Sequence, residues 1–319
     1  MSDPTRRPGE APSVPGTDEF EVIGRIAARV GPAPPGEVWI GDDAALVRVG
    51  QALLAMAADA LVAGVHADLA LTTVADLGWK ALAVNVSDLA AMGCVADRAL
   101  VTVSGPPGSD LDGLYDGLLE AAETFGCPIV GGDLTGGAAL AALVVSVSVI
   151  GDGSGIPPPV LRSGARPDDE IWVTGPLGRA AAGLLALRAG RRDGPLVAAH
   201  ARPVPRVREG GVARAAPVSA MIDVSDGFSA DLGHILDASG VGCELDAVPV
   251  ADGATEEEAL AGGDDYELVM CCAADVGLVD RFRAAGLADP VRVGRCIPDR
   301  RRRVLAGAPL PARGWVHKV

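Results

Sequence analysis

The stretch Trp39-Ile40-Gly41-Asp42-Asp43-Ala44-Ala45-Leu46 decides how the rest of this chain is read. An aromatic and β-branched lead-in runs into glycine, two adjacent carboxylates follow, and the chain then turns apolar. The pattern predicts the end of one strand, a tight turn that needs glycine, and a second strand continuing as Leu53-Leu54-Ala55-Met56. Neighbouring aspartates in such a turn repel each other unless a cation or a ring of donors sits between them. An isolated Gly-Asp-Asp reads as a hairpin turn. Here, however, single aspartates recur in apolar or glycine-rich settings at Asp59, Asp88, Asp133, Asp223, Asp226 and Asp264. Carboxylates placed repeatedly where water is scarce require a counter-charge.

The 319 residues suffice for two domains with full cores. Hydrophobic residues make up 49% and aromatics only 3%, so those cores must be Ala, Val and Leu packed around glycine. A net charge of −15 argues against a nucleic-acid partner. The one basic run, Arg300 to Arg303, reads as a solvated turn before a last strand. None of the six cysteines forms a C-x-x-C pair, and most lie in apolar segments, which points to buried thiols in a reduced, cytoplasmic setting. No apolar run reaches the ~18 residues of a membrane span, so no membrane partner is expected. Residues 1–16 are Pro-rich and polar and are expected to form a disordered leader. An N-terminal unit over 17–151 and a C-terminal unit over 160–319 follow, joined by the Gly/Pro-rich Gly151 to Pro159.

Thr17 or Asp18 can cap a first helix with Phe20, Ile23, Ala27 and Val30 on one face. Thr72 to Met92 reads as a long helix closed by Gly93. It is apolar almost all round, so it is buried, and Asn85 and Asp88 share a face within it. Next come a strand over 98–104, a helix over 110–125 bearing Tyr115, and Gly131-Gly132-Asp133 at the end of another buried strand. A strand over 139–150 completes the first unit. In the second unit, strands are expected at 170–174, 220–222 and 268–272, with helices near 178–189, 204–214 and 228–238. Asp223, Ser225 and Asp226 then cluster at a strand end and a helix start, where backbone N–H groups hold phosphate and carboxylates hold its metal.

Magnesium prefers carboxylate oxygens and water, and it bridges protein aspartates to phosphates. Strand-end aspartates, glycines for close approach and scattered arginines therefore make a phosphoryl-transfer set. Neither lysine, Lys80 or Lys318, lies in a Walker A sequence, and the protein-kinase H-R-D and D-F-G sets are missing. No cysteine or serine has a histidine partner of the kind covalent catalysis uses.

Ile40 to Asp43, Asp59 to His66, Lys80 to Gly93, Gly131-Gly132-Asp133, Arg162 to Ala165, Ile222 to Gly227 and Gly262 to Leu268 occur in an order that resembles the thiamine-monophosphate kinases. These belong to the superfamily of aminoimidazole ribonucleotide synthetase and selenophosphate synthetase. The likeness runs from about Asp18 to Trp315. It implies an α/β (α+β) fold of two domains: an N-terminal mixed sheet with helices that pairs in a homodimer, and a C-terminal α/β sandwich. It also implies ATP-dependent phosphorylation of thiamine monophosphate to thiamine diphosphate with several Mg2+ ions. Carried over by position, Asp43, Asp59, Asp88, Asp133, Asp223 and Asp226 correspond to metal ligands. Tyr115, Gly132, Asp133, Arg162 and Ser225 correspond to ATP contacts, and His66, Asp264 and Trp315 to substrate contacts. Two positions depart from the family pattern. Ala57 and Ala58 stand where hydroxyl residues are usual, and Asp264 stands where glutamate is usual.

Two other readings follow from the same residues. One is another enzyme of this superfamily, such as an aminoimidazole-ribonucleotide-type ligase. The first cysteine, Cys94, comes too late for a selenophosphate synthetase, and the end at His317-Lys318-Val319 lacks the terminal cysteine of the hydrogenase-maturation relative. The other is a nucleotide-binding protein without catalysis, suggested by Ala57 and Ala58.

Overall fold

The computed structural model describes residues 19–315; the expected leader over 1–16 and the cap at Thr17 or Asp18 lie outside them. The first helix, α1 (Glu19–Val30), leaves its apolar residues Phe20, Ile23 and Val30 exposed. The Phe20 ring rests against His234 at 4.9 Å.

The Gly-Asp-Asp turn differs from the expectation. Its lead-in makes only isolated bridges, Val38 to Leu46 and Ile40 to Asp42. The first strand, β1 (Ala45–Val49), comes after the turn, and Leu53 to Met56 belong to a separate antiparallel strand, β2 (Ala52–Val62). The cause is Gly50: at φ 62° it lets the chain reverse through Gly50-Gln51, so that Val49 faces Ala52.

The remaining N-terminal elements are α2 (Val74–Ala91), β3 (Ala96–Gly105), α3 (Leu111–Phe125), β4 (Ile129–Gly136) and β5 (Val144–Asp152). The last starts five residues later than expected. The sheet order is β1-β2-β5-β3-β4, with only β3 and β4 parallel, so the sheet is mixed. Helix α2 starts at a full capping box, Thr73 with Asp76, and ends before Gly93. Its all-round apolarity has a clear cause: it touches β2 and β5 on one side and α6 (Val207–Ala215) and β7 (Ala220–Asp223) on the other. Two glycines let its backbone meet that of α3. A Cβ at Gly78 would lie 2.1 Å from the Leu114 carbonyl oxygen, and one at Gly117 would lie 1.8 Å from that of Ala75.

Helices α2 and α3 cover one face of the N-terminal sheet. The other face, carrying Met56, Ala58, Ala60, Leu100 and Thr102, is exposed. The second sheet, of seven strands, comprises β6 (Glu170–Val173), β7, β8 (Gly242–Leu245), β9 (Leu268–Cys272), β10 (Val291–Ile297), β11 (Arg303–Leu305) and the two-residue β12 (Ala308–Pro309). Its helices are α4 (Arg179–Arg188), α5 (Pro195–Ala201), α6, α7 (Phe228–Ser239), α8 (Glu256–Ala261) and α9 (Leu278–Ala284). The arginine run is an exposed turn leading into β11, as expected. Among the described residues, no helix is long and apolar enough to cross a membrane.

Candidate active site

Three aspartates from three elements converge. Asp43 comes from the glycine turn, Asp88 from the last turn of α2, and Asp223 from the end of β7. Each contributes an oxygen within 4.8 Å of the others'. The sequence reading of Asp88 as the odd residue on a buried helix thus has a physical basis. Asp43 is engaged on one side only: Oδ1 accepts from Arg162 Nε (3.1 Å) and Nη2 (2.7 Å), while Oδ2 is buried and accepts nothing. The Ser87 hydroxyl donates to Asp223 Oδ2 at 2.5 Å. Asn85, fully buried, accepts from the Asp59 amide at 2.9 Å and donates to the Ala81 carbonyl. One face of α2 therefore clamps the strand that carries Asp59.

Burial and mutual repulsion raise these carboxyls together. Asp223 is pushed up to about 7 by burial and then by the charge of Asp43. Asp42 is pushed up to about 6 by the same two causes. Asp88 rises well above the carboxylate range through burial and the charges of Asp59, Asp223 and Asp43. Burial also raises Asp43, against the pull of Arg162. Carboxyls that shift upward together for want of positive charge, one of them with an orphaned buried oxygen, fit a hard divalent cation.

Beside this cluster, backbone hydrogen bonds align three segments. The Asp264 amide donates to the Ser225 carbonyl (2.8 Å), that of Tyr266 to Val224 (2.9 Å), and that of Trp315 to Asp226 (2.9 Å). Ser225, Asp226, Asp264 and Trp315 thus lie side by side, and the Trp315 side chain is exposed. The N-terminus of α7 is held by Asp231, whose Oδ2 accepts from the amides of Asp226 (3.1 Å) and Gly227 (3.0 Å), so Asp226 does not cap the helix. Asp264, at φ 67°, is gripped by Lys80 Nζ (2.5 Å) and the Tyr266 hydroxyl (3.0 Å). Burial raises its carboxyl, but Lys80 and Tyr266 outweigh that and hold it below the usual value. Lys80 also donates to the His66 carbonyl at 3.2 Å. His200, pushed down to about 4 by burial and then by the charge of Lys80, stays neutral near pH 7 and adds no rival cation.

Asp133, Gly132 and Tyr115 are not part of either group. Asp133 pairs with Thr102, Thr102 with Ser146, and Ser146 with Ala60. Asp133 is therefore three strand spacings, about 14 Å, from β2. Along β2, Asp59 alternates with Ala60 and points to the helix-covered face, whereas Asp133 points to the exposed one. Within one chain the two cannot hold the same ion. Gly132 has a packing reason of its own: a Cβ there would lie 1.8 Å from the Val101 carbonyl oxygen. Tyr115 packs half-buried against the N-terminal core. Sequence reading gave no role to Lys80, Ser87, Asp231 and Glu267, and named Asp42 only as the neighbour of Asp43. Glu267 is fully buried and held by Thr174, by a two-nitrogen fork from Arg206, and by Arg179.

Comparison with known proteins shows the family. Residues 41–152 match the family described as AIR synthase related protein, N-terminal domain, and residues 166–306 match its C-terminal domain. Fold and site therefore define an AIR synthase-related chain. A thiamine-monophosphate kinase of Mycobacterium tuberculosis (strain ATCC 25618 / H37Rv) is 39% identical over 303 residues, 89% of each protein. One of Escherichia coli (strain K12) is 40% identical over 272 residues, covering 78% of this chain and 81% of that protein. A solved structure described as AaThiL complexed with AMPPCP and TMP superimposes with a TM-score of 0.82 at 28% identity, covering 94% of this chain and 97% of that one. The chain belongs to the thiamine-monophosphate kinase family.

Proposed function

We propose that this chain transfers the γ-phosphoryl group of ATP to thiamine monophosphate, giving thiamine diphosphate, by direct in-line transfer with Mg2+. The observation that carries this reading is the convergence of Asp43, Asp88 and Asp223 in a chain similar over most of its length to thiamine-monophosphate kinases. In this reading Asp43, Asp59, Asp88 and Asp223 hold metal, and Asp226, at the start of α7, holds a further ion. Mg2+ bound there supplies positive charge between the carboxylates and the phosphate oxygens. Arg162 and Ser225 position the nucleotide, and no side chain forms a covalent bond. His66, Asp264 and Trp315 take the thiamine phosphate, and the exposed Trp315 indole suits stacking on its cationic thiazolium.

The reading includes a homodimer. The outer face of the N-terminal sheet exposes Met56 (38%) and Leu100 (45%) with no helix among the described residues over it, and a second copy of the same sheet is the occupant it suits. Asp133 points to that face, so a second copy provides a natural counterpart for Gly132 and Asp133. Six free, buried cysteines among the described residues support a reducing, cytoplasmic compartment.

The test is a coupled assay of ADP release with Mg2+ and ATP, with and without thiamine monophosphate. ADP formation that depends on thiamine monophosphate is expected. ADP release indifferent to it would favour another reaction of the superfamily, and nucleotide binding with no release would favour a protein without catalysis.

A further inference from the structure

Lys80 is the one lysine among the described residues, and it stands on the most buried helix of the molecule with its side chain 3% exposed. An ammonium is not placed in such a setting without close partners. Its partners come from both units. Nζ donates to Asp264 Oδ2 at 2.5 Å in the C-terminal unit and to the His66 carbonyl at 3.2 Å in the N-terminal unit. The same loop is tightened from within, because the Val62 amide donates to His66 Nδ1 at 3.0 Å. Asp264 keeps about a third of its side-chain surface open (34%) and lines a cavity of about 230 Å³ with Arg179, Arg202 and Arg206. Each of its oxygens is bound by a different donor, and its backbone sits at φ 67°, where a non-glycine residue persists only if its surroundings over-determine it.

We infer that Lys80 is a positioning residue for substrate. From α2 it locks the Asp264 carboxylate and the His66 loop at one spacing, so that two substrate contacts from different units are set before substrate arrives. Lys80 is too buried to touch substrate itself, and it acts through the two residues it holds. The pair also has a chemical consequence. With Lys80 cancelling its charge, Asp264 presents an oriented hydrogen-bond acceptor and little net charge, which suits an N–H donor of the substrate better than a free cation. The inference rests on the functional reading above.

The test measures both KM values in Lys80→Met, which keeps the apolar stem and removes the charge. A rise of about tenfold or more in KM for thiamine monophosphate is expected, with KM for ATP within about twofold. Lys80→Arg, which keeps the charge and a donor, should recover part of the loss. Because Lys80→Met leaves a carboxylate unpaired and is exposed to misfolding, the double variant Lys80→Met/Asp264→Asn removes both charges at nearly constant volume. It should fold, and its KM for thiamine monophosphate should exceed that of Asp264→Asn alone, because the His66 loop has also lost its anchor. Equal changes in both KM values, no change in either, or failure of both variants to fold would each overturn the inference and leave Lys80 a structural residue. Absence of thiamine-monophosphate-dependent ADP release in the unsubstituted protein would instead overturn the functional reading, and this inference with it.

Discussion

Arg162 grips Asp43 through two nitrogens on a single oxygen, Nε at 3.1 Å and Nη2 at 2.7 Å, and leaves the second oxygen of Asp43 buried and unpartnered. The residue proposed to meet ATP is thus the charge partner of a residue proposed to meet metal. In the proposed reading Asp43 would hold the metal ion and Arg162 would meet the nucleotide, so the ion would supply at Asp43 the counter-charge that Arg162 now gives.

Replacing Arg162 should therefore have two separable effects. Arg162→Gln is expected to raise KM for ATP by about tenfold or more. It should also destabilise the metal-free protein by about 3–5 kcal/mol, because one member of a buried pair is left alone. Urea titration in EDTA and again in Mg2+ checks the second effect, and the loss should shrink when metal is present. Equal losses in both media would show that Asp43 does not bind the cation.

The raised carboxyls predict a pH dependence of known sign. Asp42 and Asp223, near 3.8 when unfolded, stand at about 6 and about 7 in the folded chain. Between these limits the folded state binds more protons than the unfolded one, so stability falls as pH rises from about 4 to about 7. In EDTA the melting temperature should drop across that window, and saturating Mg2+ should flatten the drop. A metal-insensitive profile would sink the assignment of Asp223 as a ligand.

Asp226 and its neighbour Asp231 should respond oppositely. Asp231 holds the amides that open α7, so Asp231→Ala orphans one buried and one part-buried donor, at about 1–3 kcal/mol for the buried one, and should lower the melting temperature clearly. The N-cap of α7 is Gly227, not Asp226. Asp226→Asn should keep its melting temperature within a few degrees yet lose about a hundredfold or more in kcat. Near-normal turnover in Asp226→Asn would remove it from the metal set.

A charge on the uncovered sheet face tests the dimer. Leu100→Glu should convert a dimer seen by light scattering at micromolar concentration into a monomer, with little change in far-ultraviolet circular dichroism. A monomeric unsubstituted protein would end the proposal.

The site was legible where a residue clashed with its local pattern. Asp88 in an apolar helix and Asp43 after Ile40-Gly41 both stood out because burial makes a carboxylate conspicuous. What stayed hidden was pairing at long range. Nothing near Lys80 in sequence points to Asp264, 184 positions away, and nothing near Ser87 points to Asp223. Among the elements, long periodic ones were readable, as α2 and α3 attest. Short buried ones such as β8 and α5 carry too few residues for a period to show. The Gly50-Gln51 reversal was overlooked because the apolar runs on either side of it looked continuous.

The direct contact between the α2 and α3 backbones at Gly78 and Gly117 has a mechanical consequence. With no side chains cushioning that contact, α2 cannot slide along α3 as helices separated by leucines can. The helix that carries Lys80, Asn85, Ser87 and Asp88 therefore acts as an anvil. In the proposed reading accommodation of ligand falls to the segments around Arg162 and Trp315, and the amides of α2 should rank among the slowest in the chain to exchange with deuterium.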